Sequence, residues 1–269
     1  MASPATGPYQ RLLASELSRV GREAIGALID ENENVADAEE FAPLSDAAAA
    51  GRGSAGELLA EVERVHASTV LLAVWERLSA LAAEATRAVG RDAPRDAGHM
   101  TLAEAEELRR LLSRPGVDSA CEVGFNAGHS AVAALLARPA LALLAVDVAK
   151  HPYVARAAAL VARLFPGRFE LRTGDSPAVL AALAAEGRRC ALVRIDGGHL
   201  DGRPAADLAA AAQLAAGPRL VWMDDVGCSN WNCVEPTAAW AAARAAGRVA
   251  EEACAVQGAS HGYCLGTFA

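Results

Sequence analysis

The hydrophobic positions follow two different periods along this chain. From Thr101 onward, short apolar runs alternate with alanine-rich stretches that have helical spacing, which is typical of parallel strands joined by helices. The runs predict strands that end near Val123, Asp147, Thr173, Ile195 and Met223. Helices are predicted between them over 130–137, 177–185 and 204–215, and two final strands over 249–256 and 262–268. The final two strands predict an antiparallel hairpin.

The pattern before residue 100 is helical only. Apolar residues recur at helical spacing over 9–29 and 57–89, with a Gly-Arg-Gly-Ser break at 51–54. We therefore expect a helical N-terminal cap or dimerisation region over 1–100 and a Rossmann-like α/β domain over 101–269. The domain is expected to be a doubly wound, mostly parallel seven-stranded sheet with a C-terminal antiparallel hairpin. The N-terminal helices could close a pocket or form a homodimer interface, and their pattern does not choose.

Composition narrows the class of partner. The chain has 269 residues, 53% of them hydrophobic, which is ample for a buried core. Its net charge of -8 argues against a nucleic-acid partner, because phosphate binding needs a basic surface. We find no membrane-spanning run and no signal sequence, so a cytoplasmic protein that acts on a small molecule is expected. The six cysteines form no Cys-x-x-Cys pair, and reduced, buried thiols are expected.

A glycine turn is the strongest motif. Residues 121–130 read Cys-Glu-Val-Gly-Phe-Asn-Ala-Gly-His-Ser, an apolar run that stops in a turn and leads into a helix. Such a turn presents backbone N–H groups to a nucleotide-like ligand, and Asp147 ends the next strand, where an acid accepts hydrogen bonds from ribose hydroxyls. A dinucleotide also fits this arrangement. Against it, the Gly-x-Gly-x-x-Gly spacing is missing, and Glu122 would repel phosphate while suiting a cationic sulfonium.

This pattern resembles the first motif of class I S-adenosylmethionine-dependent methyltransferases, and the resemblance extends from Thr101 to the C-terminus. It implies S-adenosyl-L-methionine as cofactor. Segment 173–176 resembles the family segment that contacts adenine, although Asp175 or Ser176 could instead cap the next helix, and both roles can hold together. The implied cofactor-binding residues are Glu122, Gly124, Asn126, Gly128, Ser130, Asp147, Asp175 and Ser176.

Carboxylates follow the fourth and fifth predicted strands. Asp196, Asp224 and Asp225 would repel one another in a partly dehydrated cleft, so they must share protons, pair with cations or bind a metal. The one lysine of the chain, Lys150, is not nearby, which favours Mg²⁺ or another divalent cation. The three aspartates resemble the metal ligands of small-molecule O-methyltransferases of the catechol, caffeoyl-coenzyme A and sugar types.

The position three residues after Asp196 suggests a catalytic base. Catechol methyltransferases have a lysine there, whereas this chain has His199, which is competent as a general base at neutral pH. His199 could instead cap a helix or hydrogen-bond an aspartate. Asp196 and His199 are thus the candidate catalytic residues, and the expected reaction is methylation of a vicinal diol, catechol or sugar hydroxyl.

Two other functions stay open, and the acceptor is not identified. A metal-independent N- or S-methyltransferase would use the aspartates to hold a cationic substrate, and a non-catalytic protein would only bind S-adenosylmethionine. The loop 227–233 has the composition of a substrate wall. In that loop Trp231 could face the substrate or pack under the following helix with Trp240.

Overall fold

The computed structural model describes residues 55–90, 100–259 and 261–269. The helix predicted over 9–29 lies outside these residues. Helix α1 spans Ala55–Arg87, where the sequence predicts a helix over 57–89. Residues 77–269 form a compact unit, which contains the remaining elements. No helix in the described part of the chain is both long and apolar enough to cross a membrane.

Seven strands in the described residues form one sheet in the order β3-β2-β1-β4-β5-β7-β6. Their bounds are Ser119–Val123 for β1, Ala142–Asp147 for β2, Phe169–Thr173 for β3, Cys190–Ile195 for β4, Ala215–Asp224 for β5, Val249–Val256 for β6 and Gly262–Phe268 for β7. Strands β1 to β5 pair in parallel, and β7 runs antiparallel between β5 and β6. The predicted fold class is therefore confirmed, including the C-terminal hairpin.

In the described residues after α1, one helix precedes β1, four join the parallel strands and one leads from β5 to β6. They are α2 Leu102–Leu112, α3 His129–Ala137, α4 Val154–Leu164, α5 Ser176–Ala185, α6 Arg203–Ala211 and α7 Val234–Ala245, with a short 3₁₀ turn at Trp231–Cys233. Helix α2 begins with a capping box, in which Thr101 and Glu104 satisfy each other's backbone N–H groups. The helix predicted over 204–215 ends earlier, at Ala211, because Ala215 already pairs with Cys190 as part of β5.

The order of the strands in the sheet reverses between β1 and β4, and this reversal is where a ligand site is expected. The chain moves from β1 outward to β2 and β3, then returns to β4 on the other side of β1. Strands β1 and β4 are therefore central, and their side chains are almost all buried. In an open parallel sheet, ligands bind beyond the carboxyl ends of the strands at this reversal. A ligand site is therefore expected at the residues that follow β1, β2, β4 and β5.

The cysteines form disulfides, so the expectation of reduced thiols is wrong for this structure. The pairs are Cys121–Cys190, Cys228–Cys233 and Cys254–Cys264. The first pair links the neighbouring strands β1 and β4, and the third joins residues that lie opposite each other in the β6–β7 hairpin. The second pair closes a short loop after β5. Sequence spacing did not reveal these pairs because two of them depend on which strands become neighbours.

Candidate active site

The glycine turn brings the ends of β1 and β4 into direct contact. Gly124 has φ +91°, and its N–H donates to the carbonyl oxygen of Val146 at 2.8 Å. A Cβ at this position would overlap the carbonyl oxygen of Asp196. Only glycine satisfies both requirements, because it tolerates positive φ and has no side chain. The turn that is expected to hold the cofactor therefore touches the backbone of the candidate catalytic aspartate.

The second glycine of the motif starts helix α3. Gly128 has φ +86°, and a Cβ there would lie 2.6 Å from Cζ of Phe125. The N-cap residue Gly128 makes no side-chain capping hydrogen bond, as expected for a residue without a side chain. Asn126 also has positive φ, and its Oδ1 accepts a hydrogen bond from the Tyr153 hydroxyl at 2.6 Å. The turn is thus held in one conformation with helix N–H groups at its edge.

Asp147 lies at the end of β2, as predicted, and is held rigidly by backbone amides. Its Oδ2 accepts from the Asn126 N–H at 2.8 Å, and its Oδ1 accepts from the Ala149 N–H at 2.7 Å. Each carboxylate oxygen has a second lone pair. Asp147 can therefore still accept hydrogen bonds from the two hydroxyls of a ribose.

Glu122 and Ser130, two predicted cofactor contacts, bind each other. The Ser130 hydroxyl donates to Oε1 of Glu122, whose side chain is 3% exposed. Burial raises the pKa of Glu122, and the nearby Arg194 opposes this shift. The second oxygen, Oε2, is buried and has no hydrogen-bond partner among the described residues. This oxygen is an acceptor that a cationic ligand could satisfy.

A buried arginine, which the sequence analysis missed, joins the acidic residues. Arg194 Nη1 lies 3.2 Å from Oε1 of Glu122, and its Nη2 contacts Oδ2 of Asp196 at 3.0 Å and Oδ2 of Asp224. Burial lowers the pKa of Arg194, but the three carboxylates outweigh it and the net shift is upward. The sequence argument considered only lysine as a cation that could balance the aspartates, and it did not predict this arginine. The signal was a single charged residue inside the apolar run of β4.

The three candidate metal ligands lie in different environments. Both oxygens of Asp224 are engaged, since Oδ2 pairs with Arg194 and Oδ1 accepts from the Asp225 N–H at 3.1 Å. Burial raises the pKa of Asp224 to about 6, against the lowering effect of Arg194. Burial also raises the pKa of Asp196, again against Arg194. Negative charge in this cluster is thus costly even with the arginine present.

Asp225 contacts the candidate base, whereas Asp224 contacts Arg194. Nε2 of His199 lies 2.6 Å from Oδ2 of Asp225 and 3.9 Å from Oδ1 of Asp196. The Asp225 carboxylate raises the pKa of His199, against the effect of burial. On the other side, Nδ2 of Asn232 donates to Oδ1 of Asp225 at 2.8 Å. Nε2 of His199 therefore lies near two acids at the strand ends and is closer to Asp225.

A divalent cation fits part of the predicted ligand set. Asp196, His199 and Asp225 each offer one atom, and these atoms lie within 4.8 Å of one another. Carboxylate oxygens and an imidazole nitrogen are suitable donors for a divalent ion. Asp224 is not part of this group, and its two oxygens contact Arg194 and the Asp225 N–H. The structure thus brings Asp196 and Asp225 together with His199 and places Asp224 on the arginine.

The segment after β3 lies beside a buried acid. Asp175 precedes α5, but its side chain makes no capping hydrogen bond and pairs with Nη1 of Arg203 at 2.6 Å. Ser176 faces Asp207 of α6, which is fully buried. Burial raises the pKa of Asp207 to about 6, and the Ser176 hydroxyl opposes the shift. The capping role considered for Asp175 is therefore not observed.

Trp231 is at the surface of the site and does not pack with Trp240. Its side chain is 61% exposed, whereas Trp240 is buried and donates from Nε1 to Glu251 at 2.7 Å. The ring of Trp231 lies edge-on to His199, with the ring centres 6.4 Å apart. This position is compatible with the role of substrate wall.

Comparison with known proteins agrees with this geometry. Residues 121–226 match the model of a family described as a methyltransferase domain. The chain resembles the O-methyltransferase TomG from Streptomyces achromogenes, involved in tomaymycin synthesis and solved in complex with S-adenosylmethionine, with 16% identity and a TM-score of 0.55 over 71% of this chain and 89% of that one. It also resembles an O-methyltransferase from Bacillus cereus in complex with S-adenosylhomocysteine, with 14% identity and a TM-score of 0.55 over 71% of this chain and 90% of that one. No curated protein sequence matched the chain.

The family match covers the glycine turn and the acidic cluster, by which we mean Asp196, Asp224 and Asp225. At such identities the structural likeness establishes the fold, and the family model identifies the domain. The class suspected from the sequence, an S-adenosylmethionine-dependent methyltransferase, is confirmed.

Proposed function

We propose that this S-adenosylmethionine-dependent methyltransferase transfers a methyl group to a hydroxyl oxygen of a small molecule, with a divalent cation, Mg²⁺ or another, at the acidic cluster. The observation that carries the proposal is the contact between the two halves of the site. Gly124 of the cofactor turn has no room for a side chain because the backbone of Asp196 lies against it. The methyl donor would therefore lie next to Asp196, His199 and Asp225.

The cofactor side of the site is suited to a cationic nucleoside. Asp147, fixed by two backbone amides, would accept hydrogen bonds from the ribose hydroxyls. The N-terminus of α3, where Gly128 supplies no capping side chain, would bind the carboxylate of the amino-acid moiety. Glu122 adds a buried acceptor without a phosphate-binding turn beside it. This combination favours S-adenosylmethionine over a dinucleotide.

The acceptor side has the groups that methylation of oxygen requires. A neutral hydroxyl is a weak nucleophile and must lose its proton as the methyl group arrives. In this proposal Asp196 and Asp225 would hold the cation, and His199, whose Nε2 lies 2.6 Å from Asp225, would accept the proton instead of binding the ion. When bound, a divalent cation would supply positive charge that lowers the pKa of the hydroxyl. Two neighbouring oxygens, as in a vicinal diol, catechol or sugar, would suit such a site.

Methyl transfer from labelled S-adenosylmethionine to a panel of diols, catechols and sugars tests the proposal. We expect transfer that chelator abolishes and that added Mg²⁺ or Mn²⁺ restores. Asp196→Ala should abolish turnover while leaving binding of S-adenosylhomocysteine within about threefold. Asp118→Ala is the matched control, because this exposed aspartate precedes β1 at the opposite end of the sheet. Full activity of the Asp196→Ala variant in chelator would refute the metal-dependent reaction.

One observation favours a second candidate, a metal-independent N- or S-methyltransferase. Arg194 already contacts Glu122, Asp196 and Asp224, so part of the negative charge is balanced without an ion. The remaining acids could then hold a cationic substrate. The same panel, extended to amines and thiols, separates the two candidates, since transfer to an amine or thiol in chelator would support the second. Binding of the cofactor without transfer to any acceptor would indicate a non-catalytic protein.

A further inference from the structure

Asp225 is held by two side chains that come from different loops. His199, which follows β4, lies 2.6 Å from Oδ2, and Asn232, which follows β5, donates to Oδ1 at 2.8 Å. Each oxygen of the carboxylate therefore has its own partner. Removing Asn232 would leave Oδ1 without this partner and the carboxylate less restrained.

The backbone alone does not favour the orientation of Asp225. This residue has φ +57°, a conformation that costs roughly 1 kcal/mol or more for a residue with a side chain. Its strand neighbour Asp224 is in extended conformation and points to Arg194 instead. The side-chain hydrogen bond from Asn232 is thus one of the contacts that keep Asp225 in the cluster.

Asn232 lies in a loop that a disulfide closes. Cys228 and Cys233 are bonded, with their Cα atoms 5.5 Å apart, and Asn232 immediately precedes the second cysteine. Within the loop, the Asn230 side chain accepts from the Trp231 N–H at 2.8 Å. Cys233 is fully buried, whereas Cys228 is half-buried. A small reductant could therefore reach the bond from the side of Cys228.

We propose that Asn232 is a positioning residue for Asp225, and that the Cys228–Cys233 disulfide makes this positioning depend on the redox state of the pair. The inference rests on the proposed function, because Asp225 belongs to the proposed cation cluster. With the disulfide formed, the loop 228–233 is closed and Asn232 keeps its hydrogen bond to Asp225. When the disulfide is reduced, the loop is no longer cross-linked and this hydrogen bond is lost, so Asp196 and Asp225 bind the cation less tightly.

The redox step needs a dithiol as reductant. One thiolate of the dithiol attacks a sulfur of the protein disulfide, and the resulting mixed disulfide is resolved by the second thiolate. Two electrons and two protons pass to the protein, which gains two thiols, and the dithiol leaves as a cyclic disulfide. Dithiothreitol supplies this chemistry in the laboratory.

A cycle of four proteins tests the proposal, with Mn²⁺ as the probe and calorimetry as the measurement. They are the wild type, Asn232→Ala, the pair Cys228→Ser with Cys233→Ser, and the triple variant. We expect Asn232→Ala and the cysteine pair each to weaken Mn²⁺ binding by roughly tenfold. The triple variant should lose no more than either, because both changes remove the same contact. Losses that multiply in the triple variant, or an unchanged affinity in Asn232→Ala, would overturn the proposal.

A second measurement does not depend on a metal or an acceptor. The side-chain amide protons of Asn232, identified by their absence from Asn232→Ala, should exchange slowly in the oxidised protein and at least tenfold faster after dithiothreitol. Changing Cys254 and Cys264 to serine, in the remote hairpin, should leave this exchange unchanged. If wild-type protein bound no Mn²⁺, the metal-dependent function would fail, while equal exchange in the oxidised and reduced states would refute the present inference.

Discussion

Arg194 and Glu122 lie directly opposite each other on β4 and β1, with Nη1 3.2 Å from Oε1 and side chains that are 5% and 3% exposed. An ion pair so deeply buried is costly to form, because both charges leave water. The cost is met by further contacts of the same guanidinium with Asp196 and Asp224. Arg194 is therefore the centre on which the acidic cluster depends.

Replacing Arg194 by methionine should destabilise the protein strongly. The change keeps most of the side-chain volume but leaves buried carboxylates without their cation, so we expect a loss of about 3–5 kcal/mol in the free energy of unfolding, measured in urea. Adding Glu122→Gln should recover part of the loss. The control is Arg110→Met, because its pair with Glu107 is half-exposed and should contribute less than about 1 kcal/mol. A loss below 1 kcal/mol for Arg194→Met would contradict this account.

The sequence predicted the fold well because the relevant signals are local. Apolar runs and helical spacing repeat over a few residues, so strands β1 to β5 end at or within one residue of the positions near which the sequence predicts their ends. The acidic residues at those ends followed from the strand assignments. Contacts between side chains on different strands, such as that of Arg194 with Glu122, could not be predicted from the sequence. Adjacent Asp224 and Asp225 also diverge, because only Asp225 has positive φ.

Gly124→Ala should remove cofactor binding. The new methyl group would overlap the carbonyl oxygen of Asp196 and would also meet the strain of φ +91°. We expect the affinity for S-adenosylhomocysteine, measured by calorimetry, to fall at least 100-fold, about 3 kcal/mol. Gly187→Ala is the matched control, since Gly187 has φ +80° and open space around it. It should lose about 1 kcal/mol of stability and no affinity. Equal affinities in the two variants would show that the β1–β4 contact does not shape the site.

Asp207 should make stability depend on pH. Burial raises its pKa from 3.8 to about 6, so the folded state binds the proton more tightly than the unfolded state. Its favourable contribution is complete below pH 3.8 and is lost as the pH rises through about 6. Asp207→Asn should therefore stabilise the protein relative to wild type by about 1–3 kcal/mol at pH 8 and by less than about 1 kcal/mol at pH 4, in urea unfolding.

Asp118→Asn serves as the control for this experiment, because the residue is exposed. It should change the free energy of unfolding by less than about 0.5 kcal/mol at both pH values. If the effect of Asp207→Asn were the same at pH 4 and pH 8, the buried carboxylate would not be the cause.

The three disulfides should be detectable by thiol counting, and they should contribute unequally to the free energy of unfolding. Protein denatured without reductant should show no free thiol with a thiol reagent, and six after reduction, because all the cysteines are paired. The pair Cys121–Cys190 closes a span of 69 residues and Cys254–Cys264 one of 10. Since a cross-link over a longer loop removes more entropy from the unfolded chain, changing the first pair to alanine should cost roughly 1–2 kcal/mol more than changing the second. Urea unfolding of the two double variants, each compared with oxidised wild type, measures the difference. Six reactive thiols in the unreduced protein would mean that the bonds do not form, and the redox dependence inferred for Asn232 would fall with them.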